Sequence, residues 1–332
     1  MSGSEEAAPI PGLSHIPQVQ VGYLNFPRLR TVLLSSQYVR AFRRIVLDGL
    51  RPDGILCYNV YPHSVAMGHE AMRLSIPWIP VVADAPGDPV AYGRLEQQLG
   101  IAAGCIFLSW SSFSRWNASP KLHLDGGVST VPEHELDTPT EIAQKIIFYS
   151  GSLNKYGGID LLLDAFALIR DPNVRLWVCG KGDNNKLRQM LCTDSRITFF
   201  GCIAEGKLQE LSRQASVMVN PRPSDIPDSQ HNFPSKVLEY FTYGKPVVST
   251  WTPGLSPEYR PFLTVPRAET AAALASSVLD VLSWTPGQRY AYAAGVGTFL
   301  RKGKTWGHQA GRLLTWWKEN NWGSSGRRWI EE

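Results

Sequence analysis

One stretch, residues 231–250, holds the side chains of this sequence that are best suited to bind a phosphorylated ligand. Phe233-Pro234-Ser235 predicts a helix start, because proline is tolerated in a first helical turn and a serine hydroxyl accepts from free backbone N–H groups. Gly244 is a typical helix end. The partial positive charge of a helix start favours an anion, and a phosphate is the usual one.

Two charged side chains extend this chemistry. Lys236 adds a full positive charge beside the predicted helix start, and Glu239 lies one turn further on. A carboxylate in that place can accept hydrogen bonds from two sugar hydroxyls. A phosphate site beside a carboxylate that holds a ribose is the chemistry required to bind a nucleotide sugar.

The same stretch resembles the donor-binding motif of retaining glycosyltransferases of the GT-B fold (family 4-like, glycosyl transferases group 1). That motif usually has a glutamate, seven residues and a second glutamate, with a phenylalanine between them. Phe233 and Glu239 match the phenylalanine and the second glutamate, whereas His231 stands at the first. The resemblance implies donor contacts from residues 231–236: His231, Asn232, Phe233, Pro234, Ser235 and Lys236.

His231 is the main departure from the family motif. A histidine can donate or accept a hydrogen bond, but it supplies no fixed negative charge. Either the contact with the transferred sugar is altered, or His231 and Asn232 form it together. A histidine in a loop is more often merely exposed, and that alternative stays open.

A second loop, SGSLNKYGG at residues 150–158, follows a predicted strand. The open end of a parallel sheet is where such folds bind ligands. The resemblance implies that Gly151 and Ser152 contact the donor, although the family usually has arginine at the position of Ser152. Lys155 is the nearest cation and is our candidate catalytic contact to the leaving diphosphate; a solvated turn lysine is the alternative.

Three further strand ends complete the predicted donor side. Gly180 and Gly182 form a glycine-rich turn, in which Asn185 replaces the last glycine of a dinucleotide fingerprint and so argues against NAD. Phe200 lies where the family's backbone holds the nucleotide base, and Arg222 is a second candidate for the missing arginine. A plain strand-to-loop turn and a surface arginine are the respective alternatives.

The acceptor side is predicted in the first half of the chain. Asp84 follows a predicted strand and could orient an acceptor hydroxyl or take its proton; helix capping is the alternative. Tyr58, Asn59 and His63 follow another strand and are plausible acceptor contacts. Asp-x-Asp, the metal-binding motif of the other major glycosyltransferase fold, does not occur in the sequence. We therefore predict no metal and no cofactor, with a UDP- or GDP-sugar as substrate.

Strands alternate with helices along the chain, which predicts an α/β fold of two Rossmann-like domains with parallel sheets facing a cleft. We expect a disordered leader at 1–17, an apparently short acceptor-side domain at 18–140, a donor-binding domain at 141–300 and a helix with a basic tail at 301–332. The sequence also predicts strands at 19–24, 103–109 and 216–220.

Composition narrows the class of protein further. At 332 residues, 43% hydrophobic and 19% charged, the chain is typical of a globular protein, and its five scattered cysteines indicate reduced thiols in a cytoplasmic protein. The net charge of +4 arises in residues 301–332, where seven Lys/Arg outnumber three Asp/Glu beside five tryptophans. That tail could contact the inner face of a membrane, or simply pack on the body. Nucleic acid is not expected, because the body has no basic stripe.

These patterns predict a glycosyltransferase that moves a sugar from a nucleotide diphosphate to a glycan or lipid-linked acceptor, with retention implied by the resemblance. A non-catalytic nucleotide-sugar-binding or partner subunit is the first alternative. An NAD dehydrogenase is a weaker alternative, because its phosphate-binding fingerprint is incomplete.

Overall fold

The computed structural model describes residues 21, 29–118, 120–131 and 145–323. The leader at 1–17 and most of the predicted strand at 19–24 lie outside the described residues. Within the described part, two parallel sheets form the centres of two α/β units. The predicted α/β class with two Rossmann-like domains is therefore confirmed.

The first sheet has four parallel strands in sequence order, β1-β2-β3-β4. Apolar residues alternate with the pleat, so that Trp78 and Val82 face one side while Ile79 and Val81 face the other. The strands are β1 (Ile55–Tyr58), β2 (Trp78–Val82), β3 (Cys105–Phe107) and β4 (Lys121–His123).

Helices cover both faces of this sheet. Three helices pack on the side of Trp78, and the helix that ends the described chain packs through Trp316 on the side of Ile79. The three are α1 (Arg30–Leu47), which precedes β1, and the connecting helices α2 (Pro62–Arg73) and α3 (Pro89–Leu99). A short helix, α4 (Trp110–Arg115), connects β3 to β4. Asp88 caps α3 by accepting from the backbone N–H of Ala91 at 2.8 Å.

The second sheet is parallel and has the order β7-β6-β5-β8-β9. The chain moves outward from β5 in one direction through β6 and β7, and in the other through β8 and β9. The C-terminal ends of β5 and β8 therefore flank the point where the strand order reverses, which is where open α/β sheets bind ligands. The strands are β5 (Lys145–Ser150), β6 (Val174–Cys179), β7 (Ile197–Gly201), β8 (Val217–Asn220) and β9 (Val247–Ser249).

Two apolar layers hold this second sheet. Ile147 and Val217 belong to the layer on one face, and Phe148 and Met218 belong to the layer on the other. The helices are α5 (Ile159–Leu168), α6 (Asn185–Thr193), α7 (Glu205–Gln214), α8 (Pro227–His231), α9 (Lys236–Phe241), α10 (Ala271–Leu282), α11 (Pro286–Gly303) and α12 (Trp306–Glu319), with a 3₁₀ turn at Pro257–Phe262.

The structure differs from the expected elements mainly where segments are short. The strand expected at 103–109 is limited to Cys105–Phe107, and α4 and β4 follow it where no element was predicted. The polar loop before residue 231 contains the single-turn helix α8. Segments of three to six residues carry too little periodicity to identify, so neighbouring elements determine them.

The two units are joined by a buried ion pair. Asp125, just after β4, accepts from the Lys304 ammonium at 2.6 Å and 2.9 Å, and both side chains are almost fully buried. Tyr259 donates to the same carboxylate at 2.7 Å, and Glu258 also pairs with Lys304 at 2.7 Å. The end of the first sheet, the 3₁₀ turn and the α11–α12 junction therefore meet at one set of charges.

Candidate active site

The strand ends at the reversal point are held by a helix residue that the sequence analysis did not identify. The Tyr240 hydroxyl accepts from the Ser150 backbone N–H at 2.9 Å and donates to the Ser150 carbonyl at 3.1 Å. Burial raises the pKa of this phenol well above its ordinary value, so it stays protonated and able to donate. Tyr240 thus fixes α9 against the end of β5.

Lys236 and Glu239 on α9 lie beside that strand end. Their side chains form an ion pair of 2.8 Å, and the Lys236 ammonium lies 3.3 Å from the Ser150 hydroxyl. Each side chain is about one-third exposed, at 38% and 35%, so both are accessible to a ligand. The expected serine cap is wrong: Ser235 precedes α9 but its side chain makes no capping hydrogen bond, and α9 has only six residues.

The loop after β5 approaches the strand end closely. The Tyr149 hydroxyl donates to the Ser152 carbonyl at 2.7 Å, which bends the chain back on itself. A Cβ atom on Gly158 would come within 1.9 Å of the Pro221 carbonyl oxygen, so only glycine allows this loop to meet the one after β8. Lys155 lies on the exposed part of the loop, with its ammonium 5.2 Å from the ring centroid of Tyr156.

The loop after β6 lies directly beside this loop. A Cβ atom on Gly180 would come within 1.8 Å of the Gly151 carbonyl oxygen, and the Leu153 N–H donates to the Lys181 carbonyl at 3.1 Å. Gly180 and Gly182 both have positive φ angles, of 147° and 132°. The two glycine-rich turns that the sequence analysis singled out therefore form one surface.

Phe200 and Arg222 have neighbours within the protein. The Phe200 ring packs edge-on against Trp177 with centroids 5.5 Å apart. The Arg222 guanidinium donates to the buried Ser229 hydroxyl at 2.9 Å. Arg222 therefore holds α8 against the loop after β8.

Asp84 meets the donor side directly. Its backbone forms an isolated antiparallel bridge with Asn232, so the predicted acceptor-side loop and the predicted donor-side loop touch. The Asn232 side-chain oxygen is buried and has no hydrogen-bond partner among the described residues. A buried amide oxygen without a partner is costly, which suits a position that receives a donor from a ligand.

Asn59 positions Asp84 and has no side-chain atom left over for an acceptor. Its oxygen accepts from the backbone N–H groups of Ala83 and Asp84 at 3.0 Å each, and its amide donates to the Asp84 carboxylate at 3.1 Å. The residue is only 6% exposed and has a φ of 60°, a conformation that asparagine tolerates better than most residues.

Tyr58 and His63 differ in their surroundings. Tyr58 is 66% exposed at the end of β1. The His63 ring stacks between Tyr38 and Tyr61, with centroid distances of 4.7 Å and 5.4 Å, and burial lowers its pKa. His63 is thus an apolar stacking partner at neutral pH, whereas Tyr58 is free to contact an acceptor.

His231 packs against the first unit. Its ring lies 4.3 Å from the ring of Tyr92 on α3, and its Nδ1 atom is 3.4 Å from the Ser111 hydroxyl on α4. Burial lowers the pKa of this imidazole, and the nearby Arg115 charge lowers it further. The histidine that replaces the family's glutamate therefore forms part of the contact between the two units.

One group of side chains has the spacing of a metal site. Ligand atoms of His123, Asp125 and Glu258 lie within 4.8 Å of one another. The Lys304 ammonium pairs with both carboxylates, and its positive charge occupies the place a metal cation would need. These residues fit a structural ion pair better than a metal centre.

The C-terminal aromatic residues mostly pack inward. Trp316, Trp317 and Trp322 cluster on the first sheet, and the ring of Trp322 lies over Gly104. Trp306 is 56% exposed, and Trp329 lies outside the described residues. Over the part of the chain that the structure describes, no helix is both long and apolar enough to span a bilayer.

Comparisons with known proteins concern the fold and the second unit. Residues 144–283 match the family model described as Glycosyl transferases group 1. That match contains β5 to β9, and therefore all of the predicted donor side. No curated protein matches the chain at a significant level.

Solved structures match over nearly the whole chain. Sucrose-phosphate synthase from Thermosynechococcus elongatus has a TM-score of 0.65 at 19% identity, covering 91% of this chain and 82% of its own. HepE from Anabaena in complex with UDP has a TM-score of 0.66 at 16% identity, covering 90% and 85%. The lipopolysaccharide outer core galactosyltransferase WaaB in its apo form has a TM-score of 0.60 at 15% identity, covering 87% and 81%.

The fold is that of the GT-B glycosyltransferases. Residues 144–283 match the glycosyl transferases group 1 domain, which indicates a nucleotide-sugar-dependent glycosyltransferase.

Proposed function

We propose that this protein transfers a sugar from a UDP- or GDP-sugar to a glycan or lipid-linked acceptor, with retention at the anomeric carbon and without a metal ion. The observation that carries the proposal is the bridge between Asp84 and Asn232. It brings a carboxylate of the first unit to the loop beside Lys236 and Glu239 at the reversal point of the second sheet. HepE, whose solved complexes contain UDP and UDP-glucose, favours a uridine donor.

Each residue has a role that its position supports. Glu239 accepts the ribose hydroxyls, and Lys236 exchanges its ion pair with Glu239 for the diphosphate. The backbone of Gly151, Ser152, Gly180 and Gly182 lines the phosphates, and the segment at Phe200 lines the base. Asn232, whose side-chain oxygen lacks a partner among the described residues, accepts from a hydroxyl of the transferred sugar.

The reaction is a substitution at the anomeric carbon. The acceptor hydroxyl oxygen forms the new bond on the same face of the sugar ring from which the diphosphate oxygen leaves, so the configuration at the anomeric carbon is retained. The nucleoside diphosphate leaves with the electron pair, and Asp84 takes the hydroxyl proton. Lys236 and Lys155 stabilise the developing negative charge, which is the largest electrostatic requirement of the step.

Substitution of Glu239 tests this assignment. We expect Glu239→Ala to weaken UDP binding and to lower the transfer rate at least about 100-fold, because a charged hydrogen-bond acceptor to ribose is lost. Calorimetry with UDP and release of UDP from UDP-glucose are the measurements.

Glu210 on α7 offers a matched control. It forms an i,i+3 pair with Lys207 at 2.7 Å, as Glu239 does with Lys236, but it lies away from the strand ends. Glu210→Ala should leave UDP binding and turnover unchanged. Equal activity in the native protein and Glu239→Ala contradicts the proposed site.

The position of His231 favours one second candidate, a subunit that binds a nucleotide sugar without turnover. The imidazole that replaces the family's glutamate packs on Tyr92 rather than standing free. UDP binding combined with no release of UDP from UDP-sugars and no release of GDP from GDP-sugars would establish this alternative.

Contact with a membrane is a smaller part of the proposal. Trp316, Trp317 and Trp322 pack on the first sheet, so a peripheral contact at the cytoplasmic face would depend on the exposed Trp306 and the basic residues near it. Retention by anionic vesicles, compared with neutral ones, measures it.

A further inference from the structure

A pocket in the first unit lies next to Asp84 and outside the donor site. Its volume is about 290 Å³, room for a single sugar ring with its substituents. The loops after β1 and β2 form one side through Tyr61 and Asp84, and α3 forms the other through Arg94 and Gln98. Asp84 marks the end that faces the donor, because its backbone bridges to Asn232.

The acidic side chains around this pocket have partners within the protein, whereas one arginine on its wall has none among the described residues. Asp84 accepts from Asn59 at 3.1 Å, Asp88 caps α3, and Glu96 pairs with Arg115 at 3.1 Å. Arg94, in contrast, is exposed and pairs with no carboxylate or carbonyl among the described residues. None of these carboxylates pairs with Arg94, so the cation on the pocket wall is available to a ligand.

Arg94 and Gln98 lie one helical turn apart, so their side chains leave the same face of α3. A guanidinium with an adjacent amide matches the planar, bidentate geometry of a carboxylate or phosphate. The Asp84 end is suited to a hydroxyl, which it can hold or deprotonate. The pocket is therefore suited to a sugar ring that has an anionic group at the Arg94 end and a hydroxyl at the Asp84 end.

We propose that the acceptor carries an anionic group, a carboxylate or a phosphate, on the sugar ring that receives the transferred residue. Arg94 and Gln98 bind that group and turn the reacting hydroxyl toward Asp84. This inference rests on the proposed transfer reaction, and it names the class of acceptor for the same site.

Binding of small acceptor probes tests the proposal without turnover. The protein saturated with UDP is titrated with methyl glucuronide and with glucose 6-phosphate, each against methyl glucoside, by calorimetry or saturation-transfer NMR. The two anionic probes distinguish a carboxylate from a phosphate. We expect one of them to bind about tenfold or more tightly than the neutral sugar, the usual gain from a charge-assisted hydrogen bond.

Substitution of Arg94 must remove that preference. Arg94→Gln should bring the anionic and neutral probes to similar affinity while leaving UDP binding unchanged. Arg40→Gln, at an exposed arginine of α1 that does not line the pocket, is the control and should keep the preference.

The outcomes separate this inference from the proposed function. Equal binding of anionic and neutral probes to the native protein, no binding of any probe, or a preference that survives in Arg94→Gln overturns the anionic acceptor. If the native protein does not bind UDP, the proposed donor site is contradicted instead. The Glu239→Ala variant tests that donor site independently.

Discussion

At the scale of single residues, the site depends on side chains that position other groups. In a left-handed backbone conformation, Asn59 makes three hydrogen bonds to Ala83 and Asp84, one of them to the Asp84 carboxylate. Tyr240 has a comparable role on the donor side, where it holds α9 against β5. Neither residue has to touch a substrate, yet both determine where the reacting groups lie.

Substitution of Asn59 by aspartate isolates this positioning role. The carboxylate would still accept from the backbone of Ala83 and Asp84, but it would lose the bond to the Asp84 side chain and place two negative charges together. We expect turnover to fall at least about tenfold, with UDP affinity unchanged and a stability loss of about 1–3 kcal/mol. Kinetics of UDP release and urea unfolding measure these effects.

A second substitution, Asn59→Ala, separates the effect of Asn59 on stability from its effect on turnover. It removes all three hydrogen bonds and should cost more stability than Asn59→Asp, because two backbone N–H groups lose their buried acceptor. Turnover in Asn59→Asp equal to the native value would show that Asp84 needs no support from this residue.

At the scale of elements, long periodic segments could be predicted from sequence and short ones could not. The sequence predicts a helix over residues 62–74, and one forms as Pro62–Arg73. The strand expected at 216–220 forms as Val217–Asn220. Helix α8 has five residues and β4 has three, so tertiary packing rather than pattern determines them.

Part of the donor side could be proposed from the sequence because its residues lie close together along the chain. Lys236 and Glu239 belong to one local motif, and the strand that precedes the Gly151 turn is strongly apolar. Tyr240, the contact of Asn232 with Asp84 and the pocket at Arg94 join residues that are far apart in sequence. Such contacts leave no periodic pattern, and only the folded chain reveals them.

The packing of α1 on α2 gives a prediction for acid stability. The Glu70 carboxylate is only 6% exposed and accepts from Arg43 at 2.8 Å and from Arg73 at 2.6 Å. These hydrogen bonds lower the pKa of Glu70 to about 2. Because the folded-state pKa lies below the unfolded one, the stabilisation is complete above the ordinary carboxyl pKa and is lost as the pH falls toward 2.

Glu70→Gln should therefore reduce the Tm at pH 7 and flatten its dependence on pH between about 5 and 2, the window of carboxyl titration. Thermal unfolding followed by circular dichroism across this range is the measurement. Glu96→Gln, at the exposed pair with Arg115 of the same unit, serves as the control. An unchanged pH profile in Glu70→Gln would rule out this carboxylate as a contributor.

At the scale of the whole molecule, the two units are held together at two places. Near the cleft, His231 lies on Tyr92 and the Trp110 N–H donates to the Gly254 carbonyl at 3.0 Å. The second place is the first sheet, where α12 packs on one face through Trp316. The ion pair of Asp125 with Lys304 lies where α12 begins.

Removing one charge of that pair should lower the free energy of unfolding far more than removing both charges. Lys304→Met leaves the Asp125 carboxylate buried without its cation, and breaking such a buried pair costs about 3–5 kcal/mol. The double substitution Lys304→Met with Asp125→Leu also removes the stranded charge, so it should recover much of the lost stability even though Tyr259 loses its acceptor. Urea unfolding of the three proteins gives the free energies, and UDP affinity reports whether the donor unit stays folded. A double variant no more stable than Lys304→Met would show that the hydrogen bonds of Asp125, rather than charge compensation, hold the two units together.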